Sequence, residues 1–207
     1  SNMDGLIFVS GTIGNYLTIS ELERFFRKFK PIPMVSIALE IDDVPSVIVD
    51  NEKGMRDAIV HLIEVHGYKR LAFIRGPVTH QEAEYRFRTY KKVLNEYGIP
   101  FNTELTVSGD LVPQTGTDAV RILIDERRLD FDAIIAANDG MALGAIKALQ
   151  SRGLKVPTDI AVIGFDDIDE SSYVTPPLST VRQPLYEQAK TAIRILLDMI
   201  EGNEVVN

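Results

Sequence analysis

Two periods alternate along this chain. Predominantly apolar segments recur at residues 4–9 (DGLIFV), 31–39 (PIPMVSIAL), 71–74, 133–137 and 160–165, and each reads as a strand covered on both faces. Residues 46–49, 106–108 and 180–182 add three shorter candidates. Between the runs, apolar residues return at helical spacing. Leu22, Phe25, Phe26 and Phe29 line one face of a helix over 19–29, with Ser20 placed to cap it. Met141, Ala142, Ala145, Ile146 and Leu149 do the same after the strand at 133–137. Further helices are predicted over 51–66, 82–97, 115–125 and 185–200. Gly67, Gly98 with Pro100, and Gly153 with Pro157 supply stops, while Pro184 suits the first turn of the last helix. Strands alternating with helices of this length give parallel strands joined by right-handed crossovers, hence an α/β fold.

Residues 131–167 (FDAIIAANDGMALGAIKALQSRGLKVPTDIAVIGFDD) concentrate the polar chemistry. The first strand of this stretch ends on Asn138-Asp139 and the second on Asp166-Asp167, so both pairs fall at the carboxyl edge of a parallel sheet. Open α/β folds hold small ligands at that edge. An amide that donates and accepts, beside carboxylates that only accept, suits hydroxyls and amines. Each residue also has an ordinary reading, since Asp139 can cap the helix and Asp166-Asp167 can begin a turn. Two such pairs on one edge favour a ligand. The bends at Arg75-Gly76-Pro77 and Thr175-Pro176-Pro177 enclose a complete α/β set. They predict two lobes: an N-terminal one of residues 1–76 with 178–207, and a C-terminal one of residues 77–177.

Composition narrows the function class. The 207 residues are 45% hydrophobic and 25% charged, as in an ordinary globular α/β chain. There is no cysteine, which excludes a disulfide framework and a thiolate metal site. No apolar run approaches the roughly 20 residues a membrane span needs. A net charge of −8 without a basic stripe argues against direct contact with DNA. The motifs GxxxxGK[ST], GxGxxG and GxSxG are absent, and neither a cofactor nor an enzymatic activity is expected. His61 and His66, five apart on one predicted helix, point about 140° away from each other and are not expected to chelate a metal. His80, just past the first bend, is placed where it can line a cleft.

Three segments carry a resemblance: VDNEKGMRDAIVHLIEVHGYKRLAFIRGP (49–77), AANDGMALGAIKALQSRGLKVPTDIAVIGFDD (136–167) and PPLSTVRQP (176–184). In order and spacing the chain resembles the ligand-binding core of the LacI/GalR family of transcription regulators, over nearly its whole length from Asp4. The resemblance implies a type I periplasmic-binding-protein-like fold with two lobes, each a parallel sheet flanked by helices, and a ligand between them. Carried over residue by residue, it places effector contacts on Arg86 (in YRFRTYKKVL), Asn138, Asp139, Asp166 and Gln183. Arg86 would supply a planar fork of donors and Asp166 the matching acceptors; the neighbouring Arg88 is its decoy. Ser10, His80 and Leu111 complete the candidate set, and no metal ligand is among them. Leu111 stands after Gly109-Asp110 where the family often has an aromatic, and Ala38 stands where many members have aspartate. A flat aromatic platform suits ring ligands. The expected effector is therefore sugar-like or another polar metabolite, with these departures pointing away from a conventional sugar.

The resemblance also implies a cytoplasmic homodimer that meets operator DNA only through a helix-turn-helix outside this stretch. Ser1-Asn2-Met3 reads as a cloning remnant, and the N-terminal lobe is expected to be incomplete, with an open sheet edge near Asp4 for a second copy. The expected function is small-molecule sensing coupled to operator binding. The same sensor on a different output module, or a solute-binding protein, are the alternatives.

Overall fold

The structure, a computed structural model, describes residues 3–9 and 17–203. Strand ladders rather than chain order decide how the segments sort. One compact unit takes Ser1–Asp50, Val78–Glu82 and Pro184–Asn207; the other takes Asn51–Pro77 and Ala83–Gln183.

The first unit holds β1 (Leu6–Val9), α1 (Ile19–Arg27), β2 (Met34–Ile37) and β3 (Ser46–Val47), and the sheet is parallel in the order β1-β2-β3. Leu22, Phe26, Met34, Leu39 and Ile41 are its core, and Phe8 meets the edge of Phe26 at 4.7 Å. Thr18, not Ser20, caps α1. The Thr18 hydroxyl accepts from the Glu21 N–H at 3.4 Å while the Glu21 carboxylate accepts from the Thr18 N–H at 2.8 Å, a reciprocal capping box.

The second unit holds α2 (Asn51–Glu64), β4 (Leu71–Arg75), most of α3 (Gln81–Glu96), β5 (Thr106–Ser108), α4 (Pro113–Val120), β6 (Ala133–Ala136), α5 (Asp139–Gln150), β7 (Ala161–Asp166), α6 (Glu170–Tyr173) and β8 (Ser179–Arg182). The final helix, α7 (Leu185–Glu201), returns to the first unit and packs on its three strands. All five strands of the larger sheet are parallel, in the order β5-β4-β6-β7-β8. Leu71 pairs with Ala133, and Ala133 in turn with Ala161, so the strand ends stay level.

This corrects the expected lobe boundaries of 1–76 with 178–207 and 77–177. β4 hydrogen-bonds to both β5 and β6, and β8 to β7, so residues 51–77 and 178–183 belong with the larger sheet. The chain changes unit at 50–51, 77–78, 82–83 and 183–184, and of these the crossing at 77–78 directly follows the bend expected at Arg75-Gly76-Pro77. The helix expected over 115–125 is α4 followed by a π-helical turn at Arg121–Glu126, and the short α6 was not foreseen.

Two features fix the larger unit. Gly116 and Gly144 let α4 and α5 touch backbone to backbone: a Cβ on Gly116 would lie 1.9 Å from the Met141 carbonyl oxygen, and one on Gly144 1.9 Å from that of Pro113. At the opposite end of the sheet from the candidate site, Asp132 ties the start of β6 to the start of β4. Its carboxylate accepts from the Lys69 and Arg70 N–H groups at 2.9 and 2.8 Å and from Arg70 Nη2 at 2.7 Å. Burial opposes charge on Asp132, but the Arg70 guanidinium and these N–H groups hold its carboxyl below the usual carboxylate range. A depressed carboxyl contributes stability that is present above its unfolded pKa and is lost as pH falls through the native one. Asp132→Asn should therefore cost about 1–3 kcal/mol at neutral pH. In thermal melts the gap to wild type should close as pH drops below about 4.

Candidate functional site

The carboxyl ends of β6, β7 and β8 meet one side chain from α3. Arg86 is 2% exposed, and its guanidinium sits 3.7 Å above the centre of the Phe165 ring. Nε donates to Asn51 Oδ1 at 2.8 Å, and Nη1 donates to the Ala137 carbonyl at 2.7 Å and approaches Asp166 Oδ1 at 3.4 Å. The same Asp166 oxygen accepts from Gln183 Nε2 at 2.6 Å, and the Gln183 N–H donates to the Asp166 carbonyl at 3.2 Å. Arg86, Asp166 and Gln183 are thus one bonded cluster.

Its electrostatics follow from burial. A guanidinium taken out of water is costly unless paired and hydrogen-bonded, and here an aromatic face, an amide oxygen, a carbonyl and a carboxylate surround it. Asp166 keeps 24% of its side chain exposed, so the cluster presents a carboxylate and an amide to solvent over a cation held beneath. Asp166 adopts φ 127 and Asp167 φ 60, backbone conformations that favour glycine. Two successive non-glycine residues in that region mark a place where the fold over-determines the backbone, as ligand sites often do.

The remaining candidates are placed differently. Asn138 caps α5: its amide oxygen accepts from the Met141 N–H at 3.0 Å and its Nδ2 donates to the Leu111 carbonyl at 3.0 Å. It follows Ala137 directly and so stands beside the cluster, with its amide turned toward the β5–α4 loop. Leu111, in that loop, has φ 70, and its side chain covers Gly76, where a Cβ would meet it at 2.9 Å. Asp139 departs from the expectation of a ligand contact. It is completely buried, and its carboxylate accepts from the Ile168 N–H at 3.0 Å, the Ser171 hydroxyl at 2.7 Å and the Thr180 hydroxyl at 2.5 Å. With no exposed surface and three internal donors, Asp139 is a strut joining α5, β8 and the segment after β7. His80 is half-buried and belongs to the other unit, within Val78–Glu82. Ser10 lies outside the described residues.

Two members of the site were not foreseen. Asn51 is 4% exposed and looked like a helix-starting residue; Phe165 looked like core and is also the platform under Arg86. Among the described residues no group of three or more His, Cys, Asp or Glu side chains gathers to hold a metal. No described helix is long and apolar enough to cross a membrane.

Parallel sheets flanked by helices, with a buried ion pair at the strand ends, define a periplasmic-binding-protein-like domain. Residues 59–207 match the family described as periplasmic binding protein-like domain. The chain is 35% identical over 198 residues to catabolite control protein A of Priestia megaterium, which covers 94% of this chain and 57% of that protein. It is 32% identical over 203 residues to the HTH-type transcriptional repressor CytR of Escherichia coli K12, covering 98% of this chain and 58% of that one. A solved complex of the transcriptional regulator CelR with cellobiose superposes with a TM-score of 0.86 at 31% identity, over 99% of this chain and 61% of that one. The chain belongs to the LacI/GalR family of transcription regulators and is an effector-binding core of that family. It spans somewhat more than half the length of the curated relatives it matches.

Proposed function

We propose that this chain is the small-molecule sensing part of a LacI-type transcriptional regulator that works in the cytoplasm and reads operator DNA through a module outside this stretch. The observation that carries the reading is the Arg86–Asp166–Gln183 cluster at the carboxyl ends of parallel strands. A partly exposed carboxylate backed by a buried guanidinium accepts hydrogen bonds from hydroxyls or amines without itself being left unpaired. The relative solved with cellobiose supports a sugar-like or similarly polar effector, while Leu111 offers an aliphatic surface in place of an aromatic platform. An effector that favours one of two states of the regulator shifts operator affinity by its differential affinity, with couplings of roughly 1–3 kcal/mol. The reading is of binding without turnover, in keeping with the transcriptional regulators the chain is similar to.

The whole regulator is proposed to act as a homodimer. Sedimentation of the full-length protein at micromolar concentration should show a dimer. For the sensing role the test is a thermal-shift panel of polyols, sugars, nucleosides and amino acids on the full-length protein. An effector present at a hundred times its Kd stabilises the native state by about 2.7 kcal/mol, a readily measured shift. Silence across all four classes would contradict the reading.

A further inference from the structure

We propose that His61 and His66 form a chelating site for a divalent transition-metal ion of the zinc, nickel or copper type. On a continuous helix a spacing of five residues would turn the two side chains about 140° apart, which is why no chelation was expected from the sequence. The structure ends α2 at Glu64, so His66 lies in the turn beyond it. Gly67 takes φ 70, its N–H reaches back to the Ile63 carbonyl at 3.0 Å, and the Tyr68 N–H reaches the Leu62 carbonyl at 3.1 Å. His66 stands just before that reversal, in the turn that closes the helix, and its ring reaches back across the last helical turn. Its Nε2 comes to 3.2 Å from His61 Nε2, with ring centres 4.9 Å apart and planes at 82°. Tyr68 stacks on His66 at 5.3 Å and 20°, holding that ring in place.

The separations fit convergence on a metal. Two imidazole nitrogens each about 2.0–2.1 Å from one ion stand about 2.9 Å apart at a right angle and about 3.4 Å apart at the tetrahedral angle. The observed 3.2 Å falls between these. With both lone pairs aimed at one ion the ring centres would be about 5 Å apart, against about 5.5 Å for two rings meeting head-on along a single N–H···N line. The observed 4.9 Å matches convergence. Both histidines are exposed, which leaves water free to complete the coordination shell. With two imidazoles and no third protein ligand among the described residues, the donor set selects borderline metals over calcium or magnesium. The site also lies on the helix whose first residue, Asn51, accepts the Arg86 hydrogen bond, so an ion that clips the last turn of α2 steadies the helix supporting the cluster.

The test is isothermal titration of Zn2+, Ni2+ and Cu2+, each alone, into chelator-treated full-length protein. One site per chain is expected from these two histidines, with copper bound most tightly. His61→Gln and His66→Gln should each weaken binding at least about tenfold. The double variant keeps His80, so its residual heat measures what the rest of the surface contributes. In the wild type, substoichiometric Cu2+ should broaden the imidazole proton resonances of His61 and His66 before that of His80, a readout that needs no variant. Absence of saturable binding for all three ions up to about 1 mM would overturn the proposal. So would an affinity left unchanged by both single substitutions, or broadening at His80 first.

Discussion

Arg86→Ala should destabilise the larger unit by about 3–5 kcal/mol, because it strips donors from three partners that stay where they are. Asn51 Oδ1 and the Ala137 carbonyl lose their 2.8 and 2.7 Å bonds, Asp166 loses its cation, and the face of Phe165 loses its cover. Arg86→Lys restores the charge but not the fork, and should recover only part of the loss. Asp166→Asn in the Arg86→Met background removes the stranded charge. That double variant should be less destabilised than the two single losses added together, and urea unfolding of the four-protein cycle measures the difference. Additivity would mean that the ion pair is incidental to the fold.

Gly144→Ala should cost about 3 kcal/mol or more through a different physical route. The new Cβ would fall 1.9 Å from the Pro113 oxygen and 2.8 Å from its carbonyl carbon, so a backbone rather than a flexible side-chain tip must move. Gly116 makes a second approach of the same kind, and Ala119, Met141 and Ala145 on the same two helices are fully buried, so parting the pair is costly as well. Gly153→Ala makes the comparison. Its φ of 76 is strained for alanine, but nothing lies within 4 Å of the added carbon. The cost there should be about 1–2 kcal/mol. Urea midpoints for the two variants check the contrast, and equal costs would count against the backbone overlap.

Local pattern carried much of this architecture. The apolar runs at 71–74 and 133–137 and the helical spacing of Met141, Ala145 and Leu149 lie where β4, β6 and α5 form. The cluster of Arg86, Asp166 and Gln183 was also nameable, through the resemblance of its segments and the position of Asp166 at a strand end. What sequence could not give is partnership over distance. β4 precedes β5 and β6 in the chain yet lies between them in the sheet, and nothing in LAFIR records that. Asn138 and Asp139 look alike as a dipeptide, but the first is the extended cap of α5 and the second its first helical residue, so their side chains part. Asn138, half-buried, caps the helix and reaches the Leu111 carbonyl, while Asp139 points inward to donors 29 to 41 residues further along the chain. His61 and His66 were separated by the angle between backbone positions alone; two imidazole side chains reach across the last turn, and their Nε2 atoms come to 3.2 Å.

The central claim concerns Asp166, and one titration tests it most directly. An effector found by the panel is titrated calorimetrically into wild type and Asp166→Asn at full length, a substitution that preserves shape while removing the accepting charge. The account predicts binding about a hundredfold weaker, equivalent to roughly 2.7 kcal/mol. The variant should remain folded, since the Asn amide can still accept from Gln183 Nε2. Affinity equal to wild type in a folded Asp166→Asn protein would place the effector elsewhere and contradict the account.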